Sequence, residues 1–426
     1  MGTLGPVITA VPTADAAENE EAARVLAPLL GASTVALEGD GVVERVLALA
    51  RVHLGLDISW FSRFEGEVHL FEHVSGDGAR FHIGAGIKVP AAATYCSRVV
   101  AGELPNVIPD TLADDRTRDL PITRFSGAGA YAGVPVVLAD GEVYGMLCCI
   151  GRDAHPEIDT GDVRFMRVLA SLLSDEVERT RPLEVARHET LRRVHAAIAG
   201  VGLRMVYQPI VRLDTLEVVG AEALSRFDGG PPTPDRWFRE AAGVGLATEL
   251  ETASLRLAIA DLALLPRDIY LSINASPELI SNETTRELPD GLHCERLLLE
   301  ITEHVPIEDY GVLLNALAPL RERGVRIAID DAGAGYSSFR HILRIKPDVI
   351  KLDISITRSV DSEASHRALA TALITFAAEI DAGLIAEGIE TIPEMETLQQ
   401  LGAGFGQGYL FAHPGPLPLP TSTPLG

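Results

Sequence analysis

The sequence predicts an α/β protein: an N-terminal α+β domain, a helical linker and a C-terminal TIM-like (β/α)8 barrel. Three observations carry that expectation. In the second half, one apolar run after another ends in a carboxylate or an amide, as strands do where they open onto the catalytic face of a parallel barrel. In the first half, segments with helical spacing bracket short apolar runs and a hairpin signal. Between the halves, Ser174 to Gly200 is rich in Glu, Arg and Leu. The chain has 426 residues and is 47% hydrophobic, enough for two or three packed domains and too apolar for disorder.

Residues 1–24 mix Pro, Thr, Ala and acidic residues without periodicity and are expected as a flexible tail. Val42, Val43, Val46, Leu47, Leu49, Ala50 and Leu54 then recur at helical spacing. Apolar runs follow over Ile58–Phe64 and Val68–His73, closed by the turn Ser75-Gly76-Asp77-Gly78. Tyr131–Leu138 and Val143–Ile150 flank Ala139-Asp140-Gly141-Glu142, a hairpin with a Gly in its loop. A helix is expected through Val163, Met166, Leu169 and Leu173. This order resembles a GAF domain over residues 25–178. The resemblance implies a sensory or dimerising module, whose family binds cyclic nucleotides, haem, bilins, small metabolites or nothing; its small-molecule ligand is unknown here. Cys96 reads as a buried neutral thiol in preference to a bilin-attachment site. Residues 179–200 are expected as an exposed linker helix. Leu173, Val177, Leu183, Leu191 and Val194 form an apolar stripe that Pro182 interrupts, so a kink is expected there. The sharper alternative is a helix pair that carries rotation between dimerised domains.

In the second half Gln208-Pro209-Ile210 opens the barrel. Val219 to Arg226 carries Glu222, and Ile273 runs into Asn274. Leu297-Leu298-Leu299 runs into Glu300, Val325 to Ile329 into Asp330-Asp331, Val349-Ile350 into Lys351, and Leu384-Ile385-Ala386 into Glu387. Adjacent aspartates face opposite sides of a regular strand, so only a break at the strand end brings both to one site. Five carboxylates and an amide on one rim repel each other unless cations sit among them. All-oxygen donors favour hard ions, magnesium or manganese, and the chemistry this implies is two-metal attack of water on a phosphate ester.

Glu222-Ala223-Leu224 with Arg226, Asn274-Ala275-Ser276, Glu300-Ile301-Thr302-Glu303, Asp330-Asp331, Lys351-Leu352-Asp353, Ala386-Glu387-Gly388-Ile389-Glu390 and Gln407-Gly408-Tyr409 occur in that order. Together they resemble an EAL domain, the family of cyclic-di-GMP-specific phosphodiesterases. The resemblance runs over roughly residues 190–418, with the domain drawn at 201–418 and a tail at 419–426. It implies two Mg2+ or Mn2+ ions per barrel, held by Glu222, Asn274, Glu300, Asp330, Asp331 and Glu387, with Asp330 bridging. It implies that Lys351 positions the attacking water and that Glu387 is the general base or a ligand of the second metal. Gln208, Arg226, Asp353, Glu390 and Gln407 would contact cyclic di-GMP, and Glu303 would hold the loop after the aspartates. Ala332 stands where the family usually has an aromatic residue, which implies a loosely held loop. A non-catalytic cyclic-di-GMP receptor is the competing function; such receptors lack metal ligands or the lysine, and this chain keeps them. No Gly-Gly-Asp-Glu-Phe motif occurs, so the messenger is consumed and not made.

A formal net charge of −24 argues against nucleic-acid polymers and anionic membranes as partners. Cations in the site still permit a small dinucleotide. Four cysteines without a Cys-x-x-Cys pair, no basic leader and no long apolar run point to a reduced, cytoplasmic protein. His293, His304, His341, His366 and His413 are scattered, which argues against zinc. The helical linker and the family habit imply a homodimer.

Overall fold

The computed structural model describes residues 40–281, 292–302, 307, 309–333 and 337–420. The expected N-terminal tail, residues 421–426 and Glu303 lie outside the described residues. The chain divides into two compact units, Met1–Ala186 and Arg187–Gly426. Among the described residues no helix is long and apolar enough to cross a membrane.

The first unit runs α1 (Asp40–Leu54), β1 (Ile58–Glu65), β2 (Val68–Gly76), β3 (Lys88–Pro90), α2 (Tyr95–Val100), β4 (Val107–Ile108), α3 (Pro121–Ser126), β5 (Ala130–Val137) and β6 (Val143–Gly151), then enters α4 (Thr160–Ile198). Its strands make one antiparallel sheet in the order β3-β2-β1-β6-β5-β4. The hairpin forms as the sequence indicates, with Ala130 opposite Gly151 and Val137 opposite Val143. Period-two alternation gives the sheet two apolar faces. Phe61, Val134, Leu147 and Cys149 pack under Leu47 of α1 and Leu169 and Leu173 of α4. Trp60, Phe71, Tyr131 and Cys148 pack under the segment between β2 and β5, against Phe81, Tyr95 and Leu104.

The terminal helix of the first unit and the expected linker are one 39-residue helix, with Pro182 inside it. The apolar stripe is not one buried face. Leu173 and Val177 are buried in the first unit's core, whereas Val194 and Ala197 are buried in a cluster of the second unit with Leu203, Trp237 and Leu250. Residues 181–189 between them are all exposed, Leu183 at 65%.

The second unit contains β7 (Leu203–Arg212), β8 (Val218–Phe227), α5 (Pro234–Gly243), α6 (Ala247–Asp261), β9 (Tyr270–Ala275), α7 (Pro277–Ser281), β10 (Leu297–Ile301), α8 (Tyr310–Glu322), β11 (Arg326–Ala332), α9 (Ser337–Ile345), β12 (Val349–Leu352), α10 (Ile354–Thr357), α11 (Ala364–Glu379), β13 (Gly383–Ala386), α12 (Ile392–Leu401) and β14 (Phe405–Gly406). The strands close a barrel in the order β10-β11-β12-β13-β14-β7-β8-β9. One strand departs from the all-parallel expectation: β7 is antiparallel to both its neighbours, β8 and β14. Only residues 213–217 join β7 to β8, too short a link for a parallel crossover.

Inside the barrel Ile210, Leu298, Ala328, Val349 and Ile385 bury one another, with Val219, Tyr270 and Phe405 packed against them. Each of the eight strands thus gives one side chain to an apolar floor, the layered filling that closed barrels use. The Arg326 guanidinium lies 4.5 Å over the Tyr270 ring at that level.

Candidate active site

Strand periodicity returns the side chain two residues on from each floor position to the same interior face. Tyr270 leads to Ser272, Leu298 to Glu300, Ala328 to Asp330, Val349 to Lys351, Ile385 to Glu387 and Phe405 to Gln407. Because β7 runs the other way, Ile210 leads back to Gln208. In β8 a bulge absorbs Val219, and Glu222 stands three residues further on, opposite Gln208. Glu387 and Gln407 lie just past their strands, yet the ladder continues: Glu387 N donates to Leu352 O at 3.0 Å and Gln407 N to Ala386 O at 2.9 Å. Gly408 follows Gln407 because a Cβ there would fall into the Ile389 backbone.

Lys351 is 1% exposed and its ammonium sits among four carboxylates: Glu387 at 2.6 Å, Glu300 at 2.7 Å, Asp330 at 3.2 Å and Glu222 at 3.6 Å. The other oxygen of Glu300 accepts from Ser272 Oγ at 2.5 Å. Asn274 Nδ2 donates to Glu222 at 3.1 Å. Gln407 Nε2 donates to Glu222 at 2.5 Å and to Gln208 at 3.0 Å, and Gln208 donates to Ala412 O at 3.1 Å. Asp330 Oδ1 is buried, 3.2 Å from the Lys351 ammonium, and among the described residues has no other hydrogen-bond partner.

Asp331 has φ of 53°, in the left-handed region, and the register between β11 and β12 shifts between Ile329 and Ala332. That local break turns Asp331 toward the side of the rim that Asp330 faces. Ligand oxygens of Asp330, Asp331 and Glu387 all lie within 4.8 Å of one another. The arrangement is strained for a non-glycine residue, and such strain is concentrated where function requires it.

One ammonium does not neutralise five carboxylates. Burial pushes Glu300 up to about 8, against the pull of Lys351. Burial, with Asp330 and Asp353 beside it, pushes Asp331 up to about 7. Burial also holds Glu387 well above the usual carboxylate range. Burial works against the charge on Lys351, but Asp330, Glu222, Glu300 and Glu387 hold it protonated well beyond the ordinary lysine range. An oxygen-only donor set that a single ammonium leaves under-neutralised fits a hard divalent cation. Asp330, Asp331 and Glu387 would hold one such ion, and Glu222, Asn274 and Glu300 border Asp330 on its other side.

The remaining expected residues are less concentrated. Arg226 is half-buried on β8 and donates to the Ser225 carbonyl at 2.9 Å. Asp353 caps α10 through Ser355 N at 2.9 Å and stands beside Asp331. Glu390 is outside the cluster: its carboxylate pairs with Arg358 at 2.8 Å on the surface. Ala332 is fully buried in the barrel core, so that position is packed, while residues 334–336 are outside the described residues. Sequence reading missed Ser272. Its signal was period two, since it precedes Asn274 by two residues and shares its face. Glu251 was also missed; it accepts from Ser276 Oγ at 2.6 Å and anchors the turn after Asn274, a contact with no local sequence signature.

The profile of the EAL domain family matches residues 191–414, about half the chain. The chain belongs to the EAL domain family. A GAF domain profile matches residues 20–177, ahead of the EAL domain. The EAL-containing region is 32% identical over 244 residues to an uncharacterized protein of Mycobacterium tuberculosis, covering 54% of this chain and 39% of the relative. It is 29% identical over 277 residues to a cyclic di-GMP phosphodiesterase of Pseudomonas aeruginosa, covering 60% of this chain and 47% of that one. The chain spans less than half the length of these curated relatives. The fold is similar to the EAL domain of Xanthomonas citri FimX, solved in complex with c-diGMP, at TM-score 0.52 and 22% identity over 57% of this chain and 100% of that one.

Proposed function

We propose that the EAL barrel hydrolyses cyclic di-GMP to linear 5'-pGpG, with two divalent cations, Mg2+ or Mn2+, and that the GAF domain regulates it. The single observation that carries this reading is the five-carboxylate rim around Lys351, with Asp330, Asp331 and Glu387 able to converge on one ion. Family membership and the similarity to a protein named as a cyclic di-GMP phosphodiesterase support the substrate. When bound, the cations supply a polarised phosphate and a more acidic water. The chain's own part is positional and electrostatic. Glu222, Asn274, Glu300, Asp330, Asp331 and Glu387 would hold the two cations, with Asp330 as the shared ligand. Glu387, 2.6 Å from the ammonium of Lys351, would act as a ligand of the second cation or, once ionised beside it, as the base that takes the proton from the attacking water; Lys351 would orient that water and meet the charge that develops on the phosphate. Arg226 offers a forked donor to a phosphate. Gln208, Gln407 and Asp353 would contact the nucleotide, and Glu390 would do so only on release from Arg358.

Regulation passes along α4, which is buried at one end in the GAF core and at the other in the barrel unit's cluster. The protein works as a homodimer in the cytoplasm; its four free, buried cysteines support a reducing compartment. The test is incubation of the full chain with cyclic di-GMP and Mg2+ or Mn2+, followed by chromatography. Linear pGpG is expected. Binding of the dinucleotide without product under either metal would make the protein a receptor.

A further inference from the structure

We propose that Ser272 is a positioning residue for cation binding: its hydroxyl fixes the orientation of Glu300, so that one chosen oxygen of that carboxylate is presented to the cation beside Asp330. The inference rests on the two-cation reading of the rim and adds to it a residue that is itself no ligand. Ser272 lies on β9 and is 0% exposed. The interior of a closed parallel barrel is filled mainly by branched apolar side chains, and Tyr270, two residues before Ser272, packs against the apolar floor. A hydroxyl buried in such a place is costly unless it is hydrogen-bonded. Among the described residues its only hydrogen bond is to Glu300 Oε1, at 2.5 Å. The register makes that a selection between two carboxylates. Ser272 stands opposite Glu222 on β8 and Leu298 on β10, with Glu300 two residues beyond Leu298.

The two carboxylates are held differently. Glu222 has a separate neutral donor on each oxygen, Asn274 Nδ2 at 3.1 Å and Gln407 Nε2 at 2.5 Å. Glu300 has one neutral donor, Ser272, and its other oxygen meets the Lys351 ammonium at 2.7 Å. Lys351 does not set the angle of Glu300 by itself, because the same ammonium is shared with Glu387, Asp330 and Glu222. The terminal torsion of a glutamate is broad and imposes little preference of its own. Without the Ser272 hydroxyl the carboxylate is free to turn about that torsion, and a buried oxygen loses its partner.

With the hydroxyl in place, Oε1 is turned toward β9 and Oε2 faces the centre of the rim, where the ammonium stands 3.2 Å from Asp330. The hydrogen bond thereby selects Oε2 as the ligand atom and keeps Oε1 from joining it in chelation. Groups that orient a ligand in this way change metal affinity by about 10–100-fold. A serine that merely fills space would leave cation affinity unmoved.

The test is calorimetric titration of the full chain with Mn2+, on wild type, Ser272→Ala and Ser272→Thr, with hydrolysis of cyclic di-GMP followed on the same samples. Ser272→Ala is expected to weaken Mn2+ binding by about 10–100-fold. Ser272→Thr keeps a hydroxyl and is expected to recover most of that loss. At limiting Mn2+ the kcat of Ser272→Ala should fall with site occupancy while KM for cyclic di-GMP holds, and saturating Mn2+ should restore kcat. Should the alanine variant not fold, Ser272→Cys, with a similar volume and a weaker donor, carries the same expectation in smaller degree. Equal Mn2+ affinity in wild type and Ser272→Ala overturns the proposal, whatever happens to the melting temperature in chelator. A loss of kcat that saturating Mn2+ does not relieve overturns it as well. A wild-type chain that binds Mn2+ without hydrolysing cyclic di-GMP defeats only the phosphodiesterase reading, and the variants still decide the role of Ser272. A wild-type chain that binds no Mn2+ overturns both.

Discussion

Asp330 offers a buried oxygen whose one partner among the described residues is the Lys351 ammonium at 3.2 Å. Replacing it with Asn removes one charge from a crowded rim and one shared cation ligand. Turnover should fall by on the order of 10²–10³-fold or more, while the melting temperature in chelator stays the same or rises. Near-wild-type turnover would sink the two-metal assignment. Lys351 is different because removing it strands its partners. Lys351→Met should lose kcat far more than affinity for the dinucleotide. It should also lower the melting temperature in chelator, since uncompensated buried carboxylates cost about 3–5 kcal/mol. Added Mn2+ should restore much of that loss; equal falls in kcat and affinity would make Lys351 a binding residue. His69 makes a third case, in the GAF unit. It is fully buried between Phe64 and Phe71, with neither ring nitrogen paired among the described residues, and burial lowers its pKa to about 4. The unfolded chain therefore binds the proton first as pH falls. Stability is complete above pH 6.5 and is lost between 6.5 and 4, by up to roughly 3 kcal/mol. His69→Phe should flatten that part of the denaturant-midpoint profile between pH 7 and 5; an unchanged slope would refute it.

At the scale of elements, the strand ends were legible because period two and apolar runs mark them: Glu300, Lys351 and Glu387 fall where their runs stop. The antiparallel β7 was not legible. Its apolar run looks the same in either direction, and only the short link over 213–217 fixes its sense. Ser272 was hidden because a serine inside a strand carries no charge to betray an inward position. Ala332 is itself wholly buried, while the loop whose looseness its missing ring implied runs on into residues 334–336, outside the described residues. Ala332→Phe should accordingly overpack the barrel and cost about 1–3 kcal/mol, measured by denaturation in chelator; a stabilised variant would show that a ring-sized space exists. Pro182 likewise looked like an interruption. A helix-interior proline removes one hydrogen bond and is tolerated here in an exposed stretch. Pro182→Ala should slow amide exchange over residues 179–186, and unaltered exchange would mean that the proline does not weaken the helix.

For the whole molecule, the carboxylate rim in chelator stores protons. Asp331 and Glu300 have folded-state pKa values raised to about 7 and about 8, so the folded chain holds more protons than the unfolded chain between about pH 4 and 8. Stability in chelator should fall as pH rises through that window. Metal affinity should rise over the same window, with protons released on binding. Calorimetry in buffers of different ionisation enthalpy checks this; buffer-independent heats would contradict it. Deleting residues 1–180 cuts α4 where it is exposed and keeps Val194 and Ala197 in their cluster. Turnover should change severalfold with cation binding intact. A monomer by light scattering and unchanged turnover after the cut would end the coupling idea. The antiparallel first strand has a further consequence, for the order in which the protein comes into being. The barrel closes where β14 meets β7 through only two register pairs, and the hydrogen bond between Gln407 and Gln208 spans that join across 199 positions of sequence. Contacts this distant form late, because the chain must lose the most freedom to make them. A ribosome that has released everything up to β13 has made most of the carboxylates and none of the closure. The barrel is therefore completed in one step, once β14 has been made.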